Sequence, residues 1–184
     1  MLRWSSFTLA GLLALGCTPS MEIDAPEVDV TQPDLQFLGV PAGVSSGGSV
    51  MGYFKFSAAK LGATTPDAGT LKNVKRLQVT RVVLLAKTGI EDFSFLDHLT
   101  VDAANLGYAT QSSPGQPVIR IVDYQASPGV PTGPKLEMPL SPPVDMLPLW
   151  VHTWLYLTVT ATGYPPSIDW SVDVEFSLSV KITE

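Results

Sequence analysis

From Ile168 to Thr183 the chain places an apolar residue at every second position: Ile168, Trp170, Val172, Val174, Phe176, Leu178, Val180 and Ile182, with Asp169, Ser171, Asp173, Glu175, Ser177, Ser179, Lys181 and Thr183 between them. A helix would smear the apolar set around its circumference, whereas an extended strand puts all of it on one face. A strand with one dry face must be covered by a second layer, and that requirement selects a layered β architecture for the whole domain.

The remaining segments agree with this reading. Trp150 to Thr162 is a second long strand pattern, joined to the first through Gly163-Tyr164-Pro165-Pro166-Ser167. Val50 to Ser57, Val74 to Ala86, Leu99 to Ala103 and Val118 to Tyr124 are further strand patterns, and Leu35 to Val40 is a short one, with turn-rich stretches between them. The second half of Val74 to Ala86 is apolar on both faces, and Arg81 falls in the register of its buried set. Asp92 to Leu96 suits one helical turn capping a sandwich end, with Phe93 and Leu96 inward. Pro139, Pro142, Pro143 and Pro148 make Met138 to Leu149 an extended loop or edge segment. The pattern predicts an antiparallel β-sandwich of immunoglobulin-like or fibronectin-like type with about seven or eight strands, a small β-barrel being the alternative.

The start of the chain is different. Arg3, an apolar run from Phe7 to Leu15 and the small residue Gly16 make an export signal too short to span a bilayer. Leu13-Ala14-Leu15-Gly16-Cys17 resembles the lipobox of bacterial lipoproteins. The resemblance covers residues 1–17 and implies cleavage after Gly16, acylation of Cys17 and anchoring in a lipid bilayer. Thr18, where lipoproteins retained in the inner membrane often carry aspartate, implies the outer membrane. Cys17 is also the one cysteine of the chain, so it has no internal disulfide mate. The domain organisation expected is a signal at 1–16, the lipidated cysteine and a tether at 17–34, and one β domain at 35–184. The tether carries Glu22, Asp24, Glu27, Asp29 and Asp34 with Pro19, Pro26 and Pro33 and no basic residue. Extended, it would reach roughly 50 Å at ~3.1 Å per residue. The alternative is a short edge strand formed by Ile23, Val28 and Val30.

Taking Arg3 from the 11 basic residues leaves 10 against 17 acidic ones, a net charge of −7 after cleavage. That balance argues against nucleic acid as a partner, because phosphates demand a basic face.

Few residues carry recognisable chemistry. Gly43-Val44-Ser45-Ser46-Gly47 matches the Gly-x-Ser-x-Gly pattern of serine hydrolases, but a strand rather than a helix follows it, and a hairpin loop explains it better. His98 beside Asp97 is neither a triad nor a zinc site. Asp169, Asp173 and Glu175 share a polar strand face at spacings too wide for one calcium ion. Trp150, His152, Trp154 and Tyr156 share one face of their strand, opposite Val151, Leu155, Leu157 and Val159. Either the proline-rich segment Met138 to Leu149 covers this aromatic strip, or it is exposed for stacking on sugars or docking a protein.

The sequence therefore predicts a non-enzymatic, cofactor-free cell-envelope lipoprotein, held in the bilayer through Cys17 and acting as a structural or protein-interaction module. The alternative is a carbohydrate-binding module using the aromatic strip for an envelope polysaccharide. A serine hydrolase built on Ser45 is the remote one.

Overall fold

The computed structural model describes residues 22–24, 27–40, 48–57, 74–104, 118–127, 133–149 and 154–183, with side chains over 27–40, 74–104, 118–127, 133–149 and 156–181. Among the described residues nine strands form: β1 (Glu22–Asp24), β2 (Val28–Phe37), β3 (Gly48–Ser57), β4 (Val74–Thr88), β5 (Leu96–Ala104), β6 (Val118–Gln125), β7 (Lys135–Asp145), β8 (Trp154–Gly163) and β9 (Trp170–Thr183), with a 3₁₀ turn at Leu147–Leu149. They pair antiparallel in two sheets. Sheet A has the order β1/β2, β9, β4, β7, with β1 and β2 sharing one edge of β9, and sheet B the order β3, β8, β5, β6.

The antiparallel β-sandwich expected from the patterning is the fold the chain adopts. Its connectivity is the finer point. From β2 to β9 the chain changes sheet at every connection except β5 to β6, which are neighbours in sheet B. This nested arrangement is the eight-stranded jelly-roll order, and differs from the ABED/CFG order of an immunoglobulin domain. Alternation assigns each strand its faces and leaves its neighbours open.

β9 behaves as its sequence dictates. Trp170, Val172, Val174, Phe176, Leu178 and Val180 are all buried between the sheets, against Leu77, Val79, Val82 and Leu84 of β4, Leu99, Val101 and Ala103 of β5, and Leu157, Val159 and Ala161 of β8. Ile168 is the exception: the strand starts at Trp170, and Ile168 sits in the preceding loop with 60% of its surface exposed. Phe37 stacks on the Trp170 ring at 4.0 Å and Phe95 meets it edge-on at 5.2 Å, closing one end of the core.

Two sequence expectations are corrected. The stretch assigned to a tether is part of sheet A: β1 pairs with β9 from Glu22↔Thr183, and β2 follows from Val28↔Leu178 to Phe37↔Trp170. Val28 and Val30 are only 7% and 8% exposed. β9 otherwise has an open edge beside the core, and pairing it satisfies a row of backbone groups; this is the edge-strand alternative for Ile23, Val28 and Val30, and sheet A reaches back to Glu22 and not only to residue 35. Arg81 is not in the buried register either. A β-bulge leaves Thr80 unpaired between Val79↔Leu178 and Arg81↔Ser177, so the parity of β4 inverts. Val82 and Leu84 turn inward and Arg81 lands on the outer face, where its Nε and Nη2 donate to Ser177 Oγ at 3.1 and 3.0 Å and its Nη1 donates to Glu137 at 3.2 Å.

The Asp92 to Leu96 segment is a hydrogen-bonded turn, with Leu96 N donating to Phe93 O (3.0 Å) and Ser94 N to Asp92 Oδ1 (2.8 Å). Phe93 and Leu96 are buried as anticipated. Met138 to Leu149 spans the end of edge strand β7 and the 3₁₀ turn. Pro142 and Pro143 fall where pairing to β4 lapses between Pro139 and Val144, Pro148 lies in the 3₁₀ turn, and the Ser141–Pro142 bond is cis.

Gly163, where β8 ends, has φ +149, and a Cβ there would collide with the backbone carbonyl oxygen of Phe95, which accepts from Tyr164 N at 2.8 Å. Gly163→Ala is expected to destabilise the fold by about 1–3 kcal/mol. Urea unfolding checks this as a lowered midpoint with an unchanged slope.

Candidate functional site

The sequence-predicted strip meets the structure at its second half only. Trp150 and His152 lie outside the described residues, as do Cys17 and Ser45. Trp154 is the first residue of β8, and Tyr156, half-buried, alternates with the buried Leu157, Val159 and Ala161. Tyr156 therefore belongs to the outer face of sheet B. Of the proline-rich segment, β7 is the far edge of sheet A, and the neighbours of β8 in sheet B are β3 and β5.

The register builds a polar surface around this position. Along β8, Tyr156 faces Lys55 of β3 and Ala104 of β5, Thr158 faces Asp102, Thr160 faces Thr100 and Thr162 faces His98. On the far side of β5, Asp102 faces Arg120 and Thr100 faces Asp123. Four charged or chargeable groups thus assemble on two strands. Arg120 reaches both oxygens of Asp102, Nε to Oδ1 at 2.5 Å and Nη2 to Oδ2 at 3.2 Å, in the bidentate geometry that fixes a guanidinium plane. Its Nη1 also donates to Asp123 Oδ2 at 3.4 Å, and Asp123 Oδ1 lies 2.7 Å from His98 Nε2.

A bulge makes this array possible. Val101 faces Val122 and Asp102 faces Arg120, which leaves Ile121 as the extra residue. Ile121 and Val122 both turn into the core, and Arg120 and Asp123, three apart, emerge on the same face. Sequence reasoning set His98 aside and passed over Arg120 and Asp123. The signal that was present is the pair Ile121-Val122, which breaks the alternation between two charged residues.

The electrostatics follow the geometry. The His98 hydrogen bond, then the charges of His98 and Arg120, hold the Asp123 carboxyl below its ordinary value, and the Asp102 hydrogen bond keeps the Arg120 guanidinium more firmly protonated. The surface therefore offers a fixed guanidinium, carboxylates and threonine hydroxyls beside a tyrosine ring.

Of the acidic set Asp169, Asp173 and Glu175, the first two are committed to other contacts. Asp169 Oδ1 accepts from Gly39 N at 2.9 Å, and Asp173 Oδ1 accepts from Asp34 N at 2.7 Å and from Lys87 Nζ at 3.0 Å. The Asp34 amide and then Lys87 hold the Asp173 carboxyl low. Among the described residues no three His, Cys, Asp or Glu side chains come together as a metal site.

No family model and no curated protein matches the chain. Among solved structures, the decameric BFDV capsid protein is similar at 10% identity and a TM-score of 0.43, with 89% of this chain and 100% of that chain covered. At that level the likeness carries no functional argument.

Because the folded-state pKa of Asp123 is depressed, its ionisation favours the native state above the unfolded carboxylate range, and that contribution is lost as pH falls through the lower folded value. Carboxyl-carbon NMR titration is expected to place the Asp123 midpoint below 3.8 and His98→Ala to move it upward. An unmoved midpoint would show that the hydrogen bond is not kept in solution.

Proposed function

We propose that this chain is a non-enzymatic lipoprotein of the bacterial outer membrane, anchored through acylated Cys17, whose β-sandwich holds a partner of the cell envelope against the outer face of sheet B. The observation that carries the binding half is the bulge-built array His98–Asp123–Arg120–Asp102 beside Tyr156. Surface ion pairs contribute little to stability, so a fixed array of this kind is better explained by what it presents.

The anchoring half rests on the lipobox resemblance, and the early start of β1 changes what anchoring means. Five residue steps separate Cys17 from Glu22, a span of at most about 18 Å. A domain on that leash stays at the headgroup surface and does not range tens of ångströms from it. Two or three acyl chains at ~0.8 kcal/mol per buried methylene make such attachment effectively permanent.

A polysaccharide is the second reading for the same face. Tyr156 supplies an aromatic plane next to bidentate Asp–Arg donors and acceptors and a row of threonine hydroxyls, a combination suited to a sugar ring.

Fatty-acid labelling is expected to tag the wild-type chain and leave Cys17→Ser unlabelled in the soluble fraction; an unacylated wild-type chain would overturn the anchor. For the face, titration of the domain with peptidoglycan fragments and envelope polysaccharides, followed by NMR, separates the readings. A glycan site gives saturable shifts at Tyr156 and Arg120, weakened at least about tenfold by Tyr156→Ala. If no glycan perturbs these residues, in-cell cross-linking from position 156 is expected to capture an envelope protein, with Arg120→Ala abolishing capture.

A further inference from the structure

The sandwich has four sheet edges, and three are visibly protected against pairing with another strand. On the edge of sheet A formed by β1 and β2, Pro33 and the left-handed Asp34 (φ 56) interrupt the ladder to β9. On its other edge, β7 carries Pro139, Pro142 and Pro143 and loses register with β4 between Pro139 and Val144. In sheet B, β6 is broken by the Ile121 bulge and presents Arg120 and Asp123. Proline, bulges and charge are the devices that keep an edge from accepting a strand.

β3 has none of the first two and little of the third. Its ten residues, Gly48 to Ser57, pair with β8 in unbroken register from Gly48↔Gly163 to Ser57↔Trp154. It contains no proline and one charged residue, Lys55. Among the described residues no strand pairs with its other side.

We infer that β3 is the self-association edge of this protein, pairing antiparallel with β3 of a second copy so that two four-stranded B sheets become one continuous sheet. Directly opposed residues in an antiparallel ladder share a face. Val50, Gly52 and Phe54 stand at the register positions of the buried Ala161, Val159 and Leu157, so a matched pairing must set these core-face positions against one another. A two-fold axis through Tyr53 does this. It opposes Val50 to Phe56 of the second copy, Gly52 to Phe54, Met51 to Lys55, Ser49 to Ser57 and Tyr53 to its own mate. The gap at Gly52 then faces an aromatic residue, and Lys55 does not meet a second lysine. An axis through Gly52 instead sets glycine against glycine, which is the poorer ladder. A second copy is favoured over an unrelated strand because β3 is complementary to itself over nearly its whole length about the Tyr53 axis, from Ser49 to Ser57, whereas an axis through Phe54 meets the same conditions only from Met51 to Ser57.

The test uses Thr18 to Glu184, which keeps every described strand and contains no cysteine. Sedimentation velocity is expected to show a dimer that tightens as salt rises, since each copy carries net negative charge. Tyr53→Cys places two sulfurs at a directly opposed pair, within disulfide reach, and is expected to give a covalent dimer on mild oxidation. Lys55→Cys puts its pair four residues out of register, about 13 Å apart, and is expected to stay monomeric on non-reducing gels. Met51→Lys faces Lys55 of the mate and is expected to weaken the dimer several-fold, and Met51→Glu to strengthen it. A wild-type domain that sediments as a monomer throughout overturns the inference, as does equal cross-linking at positions 53 and 55. A dimer indifferent to both Met51 variants overturns the register and the edge with it.

Discussion

The constraint on which the structure depends is that β9 must bury one unbroken face. It lies inside sheet A with ladders on both sides, and its register is the reference to which its neighbours adjust. Each shift beside it inserts the extra residue into the neighbour: one in β2 between Gln32 and Leu35, and Lys75, Thr80 and Lys87 in β4. β9 can stay strictly alternating because β2 and β4 absorb the mismatch. A bulge in β9 would turn half of its apolar set into water, at roughly 25 cal/mol for each Å² of apolar surface uncovered.

The same devices divide the labour between the outer faces. On sheet A the polar groups satisfy one another across four strands. Ser177, buried on that face, donates to Asp29 Oδ1 at 2.5 Å and accepts from Arg81, which continues to Glu137 and on to Lys135 at 2.9 Å. A second set ties Asp34 and Asp173 to Lys87. These carboxylates already hold partners. On sheet B the array is confined to β5 and β6, and the threonines and Tyr156 of β8 extend the same face beyond it. On sheet B the mutually bonded groups lie on one face with a tyrosine and a row of threonines, and it is this arrangement that the proposed binding role rests on.

How much of this was legible in the sequence follows from what alternation encodes. The inward sets of β9 and β5 and the existence of two layers were readable, because period-two burial is a local property. Arg81 was misassigned because a bulge looks, in one dimension, like a strand apolar on both faces: Val82-Val83-Leu84-Leu85 gives no sign of where the parity flips. Arg120 and Asp123 were missed for the same reason, their common face being created by one extra residue. The acidic run before Asp34 misled in the opposite direction. Its charges and prolines suit a solvated tether, yet an edge strand buries only every second side chain, and Val28 and Val30 were enough to dock it. Strand order was beyond reach, since pairing is fixed by which faces meet in three dimensions.

The edge placement of β1 gives the lipid-anchor reading a geometric consequence. A flexible tether of seventeen residues would leave the height of the domain above the bilayer undefined. With β1 paired at Glu22↔Thr183, the chain enters the sandwich at the C-terminal end of β9, and that strand runs about 43 Å to Trp170 at the opposite end. The end holding Trp170, Phe37 and the exposed Leu38, Tyr164 and Ile168 is therefore separated from the attachment point by the length of a central, fully paired strand. On the proposed reading, a partner on sheet B would be held relative to the anchor by the same packed core that β9 organises.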